Sequence, residues 1–536
     1  MQKQYKMSKS IDNISIASHE NIQMDGIQKL GITLGLLGLF IMTLALFNVS
    51  FPNKGFWLAG SIVSIFTGIV VYANRTYLNK PQGIKNNGVW HRDFTNRGNW
   101  AWMMGIILTT FYIVLYWYPQ YLGLNQDGGK STGIVGFFDP LSYILNGKAA
   151  SQWFVYGTLY TIAIVGLGYK FILKYLHNKY QLVRTLSVMF FQLGFAFLIP
   201  EILEKLNPEK AYFAKDLKNM WPLNYYFFNE WHLKNMFEGG NLGMFMLFFG
   251  IAMIFIISPI LTYFYGKRWY CSWVCGCGGL AETAGDSYRH LSSKTDTSWK
   301  IERWMIHSVL VFSFVMTIAV IFSFLSNNPE MSFITKDHFI WGIVVFLIVF
   351  TGALYLFKRK ELDTDAIYTM LSLVAIIIIS LFINYFSGNQ NILFIDSNSL
   401  REWYGFAIGA AFSGVVGVGF YPIMGNRVWC RFGCPMAAIL GLQQRLLSKF
   451  RITTNGGQCI SCGNCSTYCE MGIDVRSYAE KGENIVRSSC VGCGICAAVC
   501  PRGVLKLEND TPAGRINSNE ILLGNDVNLM DLLNNK

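Results

Sequence analysis

The sequence predicts a mainly α, polytopic helical membrane protein of about ten spans that ends in a small, cysteine-rich α+β domain. Three observations carry this prediction. Of 536 residues, 52% are hydrophobic and only 14% are charged, whereas soluble domains carry about a quarter. Uncharged runs near the roughly 20 residues needed to cross a bilayer recur along most of the chain. All 13 cysteines lie at or beyond Cys271. The formal charge of +12 is only a weak pointer to nucleic acid. A membrane protein that keeps Lys and Arg on its cytoplasmic side gives the same figure.

Residues 1–29 form a polar N-terminus without a small-residue cleavage site, so the first span is expected to be an uncleaved anchor. Residues 30–240 are expected to hold five spans: Gly31–Val49, Phe56–Ala73, Trp100–Tyr118, Trp153–Leu173 and Leu186–Ile202. The fifth is short and stops at Pro200-Glu201. Residues 241–450 hold five more: Leu242–Tyr265, Ile306–Phe324, Phe339–Phe357, Ile367–Phe386 and Trp403–Ile423. With the N-terminus inside, the inside segments before the C-terminal domain carry 22 Lys and Arg and the outside segments 10. That bias places the N-terminus and the C-terminal domain on the cytoplasmic side. The outside loop 204–241 contains "MWPLNYYFFNEWHLKNMF", whose aromatic residues suit the headgroup layer.

The spans contain almost no ionisable residue, which argues against a pump or ion-coupled transporter. His307 is the main exception and is expected to be interfacial or packed rather than a haem ligand. Gly405-x-x-x-Gly409 in the tenth span would let a neighbouring helix approach closely.

The C-terminal domain, residues 451–508, contains "CISCGNCSTYCE" from Cys459 and "CVGCGICAAVCP" from Cys490. Each run is C-x-x-C-x-x-C-x-x-x-C, and the pair fits a bacterial two-cluster [4Fe–4S] ferredoxin domain. In that fold the fourth ligand of each cluster comes from the other run. Cys459, Cys462, Cys465 and Cys500 are thereby assigned to one cluster, and Cys490, Cys493, Cys496 and Cys469 to the other. A zinc site would need four ligands in separated pairs rather than eight in two dense runs. Gly463, Gly492 and Gly494 suit the tight bends. Glu470 stands where the bacterial pattern often has proline. The stem from Arg427 to Arg451 has five basic residues and no acidic one, and is expected to lie on anionic lipid. Residues 509–536 form a polar tail.

Two further motifs follow apolar runs. "GKRWYCSWVC" (266–275) and "GNRVWCRFGC" (425–434) share the pattern Gly-x-Arg-x-aromatic-Cys-x-x-x-Cys, an internal repeat of one helix-end device. Cysteines at i and i+4 share a helix face, and Arg268 and Arg427 would favour thiolate. Cys271, Cys275, Cys430 and Cys434 together could hold a further metal or iron–sulfur centre. Cys277 has no counterpart in the second copy and is read as a spare ligand or a plain thiol.

At these residues the chain resembles the membrane-bound bis-[4Fe–4S] polyferredoxins of the NapH, NosR and CcoG type, which carry two C-x-x-x-C-P motifs before such a domain. Cys430, Cys434 and Pro435 match the motif; Cys271 and Cys275 match it with Gly276 in place of proline. The likeness covers about half the chain, Leu242–Leu507, and the first five spans match none of these patterns. It implies a multi-pass protein of the bacterial inner membrane. It also implies iron–sulfur electron transfer between a quinol or cytoplasmic donor and a redox partner, as a carrier more than a stand-alone enzyme. Reduction of a metal such as copper for enzyme maturation, and redox sensing, are the alternative readings.

Overall fold

The computed structural model describes residues 24–78, 98–125, 129–206, 227–331, 333–359, 364–387, 396–455 and 458–509. The polar N-terminus before residue 24, residues 207–226 of the aromatic loop and the tail from residue 510 lie outside them.

Among the described residues eight helices are long and apolar enough to cross a membrane. They are α1 (Gly26–Leu46), α2 (Lys54–Leu78), α3 (Asn99–Trp117), α4 (Gln152–Lys174), α5 (Lys179–Leu206), α6 (Gly240–Tyr265), α7 (Asp296–Asn327) and α8 (Lys336–Phe357). They fall on the first eight predicted spans. The ninth corresponds to α9 (Thr364–Ser387), whose apolar stretch is Met370–Ile383. The fifth was expected to stop at Pro200, yet α5 runs through it. Its segment Phe191–Leu198 is π-wound, which loosens the hydrogen-bond ladder just ahead of the proline.

The tenth departs from a regular helix over Trp403–Ile423. The observed α10 (397–416) is an α-helix, Ser397–Tyr404, that widens into a π-helix, Gly405–Val416. A turn and a separate helix, Tyr421–Met424, follow, with Pro422 in its first turn. Proline suits a helix start and cannot continue the helix before it.

The chain divides into two compact units. One comprises Met1–Lys218, Ile260–Ile306 and Phe412–Lys536; the other comprises Asn219–Pro259 and His307–Ala411. In the first unit α1 and α2 meet at glycine. A Cβ on Gly68 would lie 2.5 Å from the Gly35 nitrogen, and Ser61 Oγ donates to the Gly38 carbonyl at 2.7 Å. Small residues here let two backbones touch, which is how helices associate in lipid. Gly414 plays the same part against Tyr112 and Tyr116 of α3, and Gly419 against Thr109. These are the close approaches that the glycines beyond Gly409 make.

The second unit packs α7 on α8 and α9 through Ile318, Phe322, Ile340, Val344 and Leu381. The described end of the aromatic loop forms a helix, Glu230–Glu238, just after Phe227, whose ring fills the space that a Cβ on Gly250 would need. His307 is exposed on α7.

The C-terminal domain has two antiparallel strands, β1 (Arg451–Thr454) and β2 (Leu505–Glu508), paired Arg451 to Glu508 and Thr454 to Leu505. Two one-turn helices, Asn464–Thr467 and Ile495–Ala498, each start from a left-handed glycine, Gly463 (φ 78°) and Gly494 (φ 75°). The two cysteine runs thus share one local design, α+β overall as the sequence predicts.

Candidate metal centres

Cys459, Cys462, Cys465 and Cys500 line one pocket, together with Gly463. This is the first predicted ligand set, with its fourth cysteine from the second run. Burial pushes the Cys465 thiol up to about 12, and the sulfurs of Cys500, Cys462 and Cys459 add to the rise. In the second set burial pushes Cys493 to about 12 and Cys490 to about 11, and Cys469 from the first run adds to the latter. Cys469 likewise acts on Cys496. Two groups of four cysteines in this pattern suit iron, which deprotonates a coordinating thiol outright.

The two sets differ in setting. Ile460 beside the first is 47% exposed, and Arg476 and Arg502 border its pocket. The second is gripped by side chains from the membrane part. Tyr180 Oη donates to the Gly492 carbonyl and Gln181 Nε2 to the Cys493 carbonyl, each at 2.8 Å. Ser272 Oγ donates to the Val491 carbonyl at 2.9 Å, and Gln444 Nε2 to the Cys490 carbonyl at 2.8 Å. Phe171 of α4 and Tyr175, its C-cap, pack on Tyr468, Ile495 and Val499. Gly492 and Gly494 serve here twice. Both hold positive φ, and a Cβ would strike Arg268 at one and Tyr180 at the other.

The membrane cysteines also converge, in a way that corrects the shared-face expectation. Cys271 closes the helix Arg268–Cys271, and Cys275 is the N-cap of Gly276–Thr283. Cys430 sits in the π-turn Trp429–Gly433. Cys434 is the N-cap of Pro435–Leu447, where its Sγ accepts from the Ala437 nitrogen at 3.5 Å. Each motif therefore breaks one helix and starts the next. The second cysteine of each faces a helix N-terminus; the bond with Cys277 holds Cys275 low, whereas burial pushes Cys434 well up. The sulfurs of Cys271, Cys275, Cys430 and Cys434 lie within electrostatic reach of one another, and Cys277 hydrogen-bonds Cys275.

Neither motif stays at the helix end. Trp273 Nε1 donates to Tyr180 Oη at 3.2 Å, and its carbonyl accepts from Ser187 Oγ at 2.9 Å. Gly276 then reaches Gln192 and Tyr160, and Gly279 returns to Val188. From Tyr180 to Gln192 is about 18 Å along α5 at 1.5 Å per residue. The first motif is the tip of a hairpin that re-enters the bundle. The second does likewise, because Gly425 lies against Ser292 while Gly433 is back against Phe412. Gly276 replaces proline for a local reason: a Cβ there would lie 2.7 Å from Gln192 Oε1.

A buried ionic network joins the two regions, and Glu470 is its hub. Its carboxylate accepts from Arg289 NH1 at 2.6 Å, Arg427 Nε at 3.0 Å and Asn426 Nδ2 at 3.1 Å. Arg427 also pairs with Glu282, and donates to the Cys271 carbonyl at 3.3 Å and to Cys430 Sγ at 3.6 Å. Arg184 pairs with Glu282, and Asp286 with Lys174 at 2.6 Å and Arg289 at 2.7 Å. Burial opposes ionisation of Glu470, but Arg289 and Arg427 hold its carboxyl below the usual range. Against the same penalty, Lys174 and Arg289 hold Asp286 down to about 2.

Two expectations about basic residues change. Arg268 stacks on Phe450 at 4.5 Å and bonds Asn509; of the two arginines it is Arg427 that contacts a membrane thiol. The basic stem does not lie wholly on lipid, since Arg427 and Arg431 are buried, the latter paired with Glu302 at 2.6 Å. Arg445 and Lys449 remain exposed. Among the described residues no three His, Cys, Asp or Glu side chains are placed to clasp a single metal ion.

Comparison with known families finds iron–sulfur domain matches in both regions. The family described as "4Fe-4S dicluster domain" matches residues 458–505, and that described as "4Fe-4S binding domain" matches twice, at 246–295 and 405–453. The chain thus carries 4Fe–4S ferredoxin-type domains beside apolar helices fit to cross a membrane. The double match falls on the two cysteine motifs and bears out their repeat. A more specific relative is the "Putative electron transport protein YccM" of Escherichia coli (strain K12). It is 24% identical over 229 residues, 42% of this chain and 47% of that protein. The match therefore spans about half the relative's length. No solved structure matches.

Proposed function

We infer that the chain is a membrane-bound iron–sulfur electron-transfer protein that receives electrons at its ferredoxin domain and delivers them to a redox partner. The observation that carries this reading is the Glu470–Arg427–Cys430 link, which ties the inward-facing ferredoxin run to the membrane thiols. Cys459, Cys462, Cys465 and Cys500 would hold one [4Fe–4S] cluster, and Cys469, Cys490, Cys493 and Cys496 a second. Cys271, Cys275, Cys430 and Cys434 would hold a third centre. When bound, each cluster supplies a one-electron redox site.

The chain's own residues supply the rest. The exposed first run, bordered by Arg476 and Arg502, favours a soluble, acidic donor over a quinol at that end. Burial of the second run keeps water from it. The Lys and Arg bias supports a cytoplasmic N-terminus and ferredoxin domain in a bacterial inner membrane.

The test is EPR of the anaerobically purified full chain after dithionite reduction. Iron–sulfur signals are expected. Cys459→Ser with Cys500→Ser should remove the signal of one ferredoxin cluster, and Cys469→Ser with Cys490→Ser that of the second. A chain with zinc and no signal would overturn the reading.

A further inference from the structure

One helix, α4, touches both the ferredoxin domain and the first membrane cysteine motif. Phe171, near its end, packs on the ferredoxin domain. Tyr160 lies beside Gly276, between Cys275 and Cys277, its ring 3.5 Å from where a Cβ would sit. Trp153 is its second residue. At 1.5 Å per residue these points stand about 16 Å and then about 10 Å apart along the axis.

From Tyr160 to the far end of the bundle the aromatic rings are continuous. Tyr160 and Tyr156 have ring centroids 5.4 Å apart, and Tyr156 and Tyr112 6.0 Å. Tyr112 and Tyr116 are 6.4 Å apart and stacked. Tyr116 then meets Trp153 at 5.3 Å and Trp117 at 5.8 Å. Each step lies in the range of interacting aromatic pairs. The column is polar-tipped where simple packing would be served by Phe or Leu, and the Tyr112 and Tyr156 hydroxyls bond each other. Trp117 and Trp153 end it at the surface, 36% and 49% exposed.

We propose that the column Tyr160–Tyr156–Tyr112–Tyr116–Trp153/Trp117 carries electrons from the membrane thiol site to the bundle end opposite the ferredoxin domain, making transfer vectorial across the membrane. This rests on the electron-transfer function inferred above. A centre held by Cys271, Cys275, Cys430 and Cys434 would lose one electron, to be restored from the ferredoxin clusters, and a one-electron oxidant, such as a redox protein, docked at Trp117 and Trp153 would gain it. No bond forms or breaks and no proton moves. Closely spaced π systems couple the two ends better than aliphatic side chains, and the rings are left unoxidised.

The test uses the full chain in sealed vesicles, dithionite outside and ferricyanide trapped within. The wild-type chain should bleach the trapped ferricyanide. Tyr112→Leu with Tyr156→Leu should reduce bleaching to the leak rate of protein-free vesicles. The same variant should keep its iron–sulfur EPR signals and, once reduced in detergent and freed of excess dithionite, should still be oxidised by added ferricyanide. Tyr112→Phe with Tyr156→Phe keeps the rings and should stay near wild type. Bleaching of trapped ferricyanide by the Leu variant at the wild-type rate overturns the proposal, as does its loss in the Phe variant. A wild-type chain that, freed of dithionite, is oxidised by ferricyanide in detergent but never bleaches the trapped pool overturns it too. If the trapped pool is not reduced and no EPR signal appears, the underlying electron-transfer reading fails instead.

Discussion

Glu470 replaces a proline of the bacterial ferredoxin pattern, and its carboxylate is fully buried between Arg289 and Arg427. Nothing near it in sequence announces this, because its partners lie 181 and 43 residues away. Removing one member of a buried ion pair costs about 3–5 kcal/mol, as the remaining charges stay buried without a counter-charge. Glu470→Gln is therefore expected to lower the urea midpoint of the full chain in detergent, followed by bleaching of its iron–sulfur absorbance. An unchanged midpoint would show that the network is dispensable. The pH dependence follows from the same groups. Asp286 and Glu470 have folded-state values below their usual ones, so their contribution is fully present above about pH 5 and is lost at lower pH. For Asp286 the loss runs from its usual 3.8 toward about 2. The urea midpoint should thus be flat from neutral to about pH 5 and then fall, with a smaller fall in Glu470→Gln.

At the scale of elements, hydropathy located eight helices because a lipid-crossing helix must be apolar over a fixed length. It could not foresee where winding changes, as in the π segments of α5 and α10. These depend on Pro200, on a glycine-rich stretch and on what packs against them. The C-x-x-x-C motifs suggested a shared helix face. The better signal was Pro435 itself, since proline favours the first helical position and so marks Cys434 as an N-cap. Gly276 occupies that position in the first motif because Gln192, donating to Thr161 Oγ1 at 3.2 Å, stands in the way. Gly276→Pro should cost about 1–3 kcal/mol by overpacking and lower the iron bound per chain. Adding Gln192→Ala should restore it. No recovery in the double variant would mean that glycine is needed for another reason.

At the scale of the molecule, α4 and α5 belong to the first five spans, which match none of the patterns that the cysteine motifs resemble. They prove to be the platform on which the ferredoxin domain sits and into which the first cysteine hairpin inserts. Their informative residues, Phe171, Tyr180, Gln181 and Arg184, look like ordinary helix residues until their partners are known. If the charge bias sets orientation, an impermeant thiol label applied to right-side-out vesicles should spare the ferredoxin cysteines of the apo chain, and inverted vesicles should expose them. The reverse pattern would invert the proposed topology. The central claim is that four membrane cysteines form one further cluster site beside the ferredoxin pair, and iron and acid-labile sulfide per chain measure it most directly. The account predicts about 12 iron atoms, falling to about 8 in Cys430→Ser with Cys434→Ser while the ferredoxin EPR signals persist; about 8 in the unaltered chain, unmoved by that change, would contradict it.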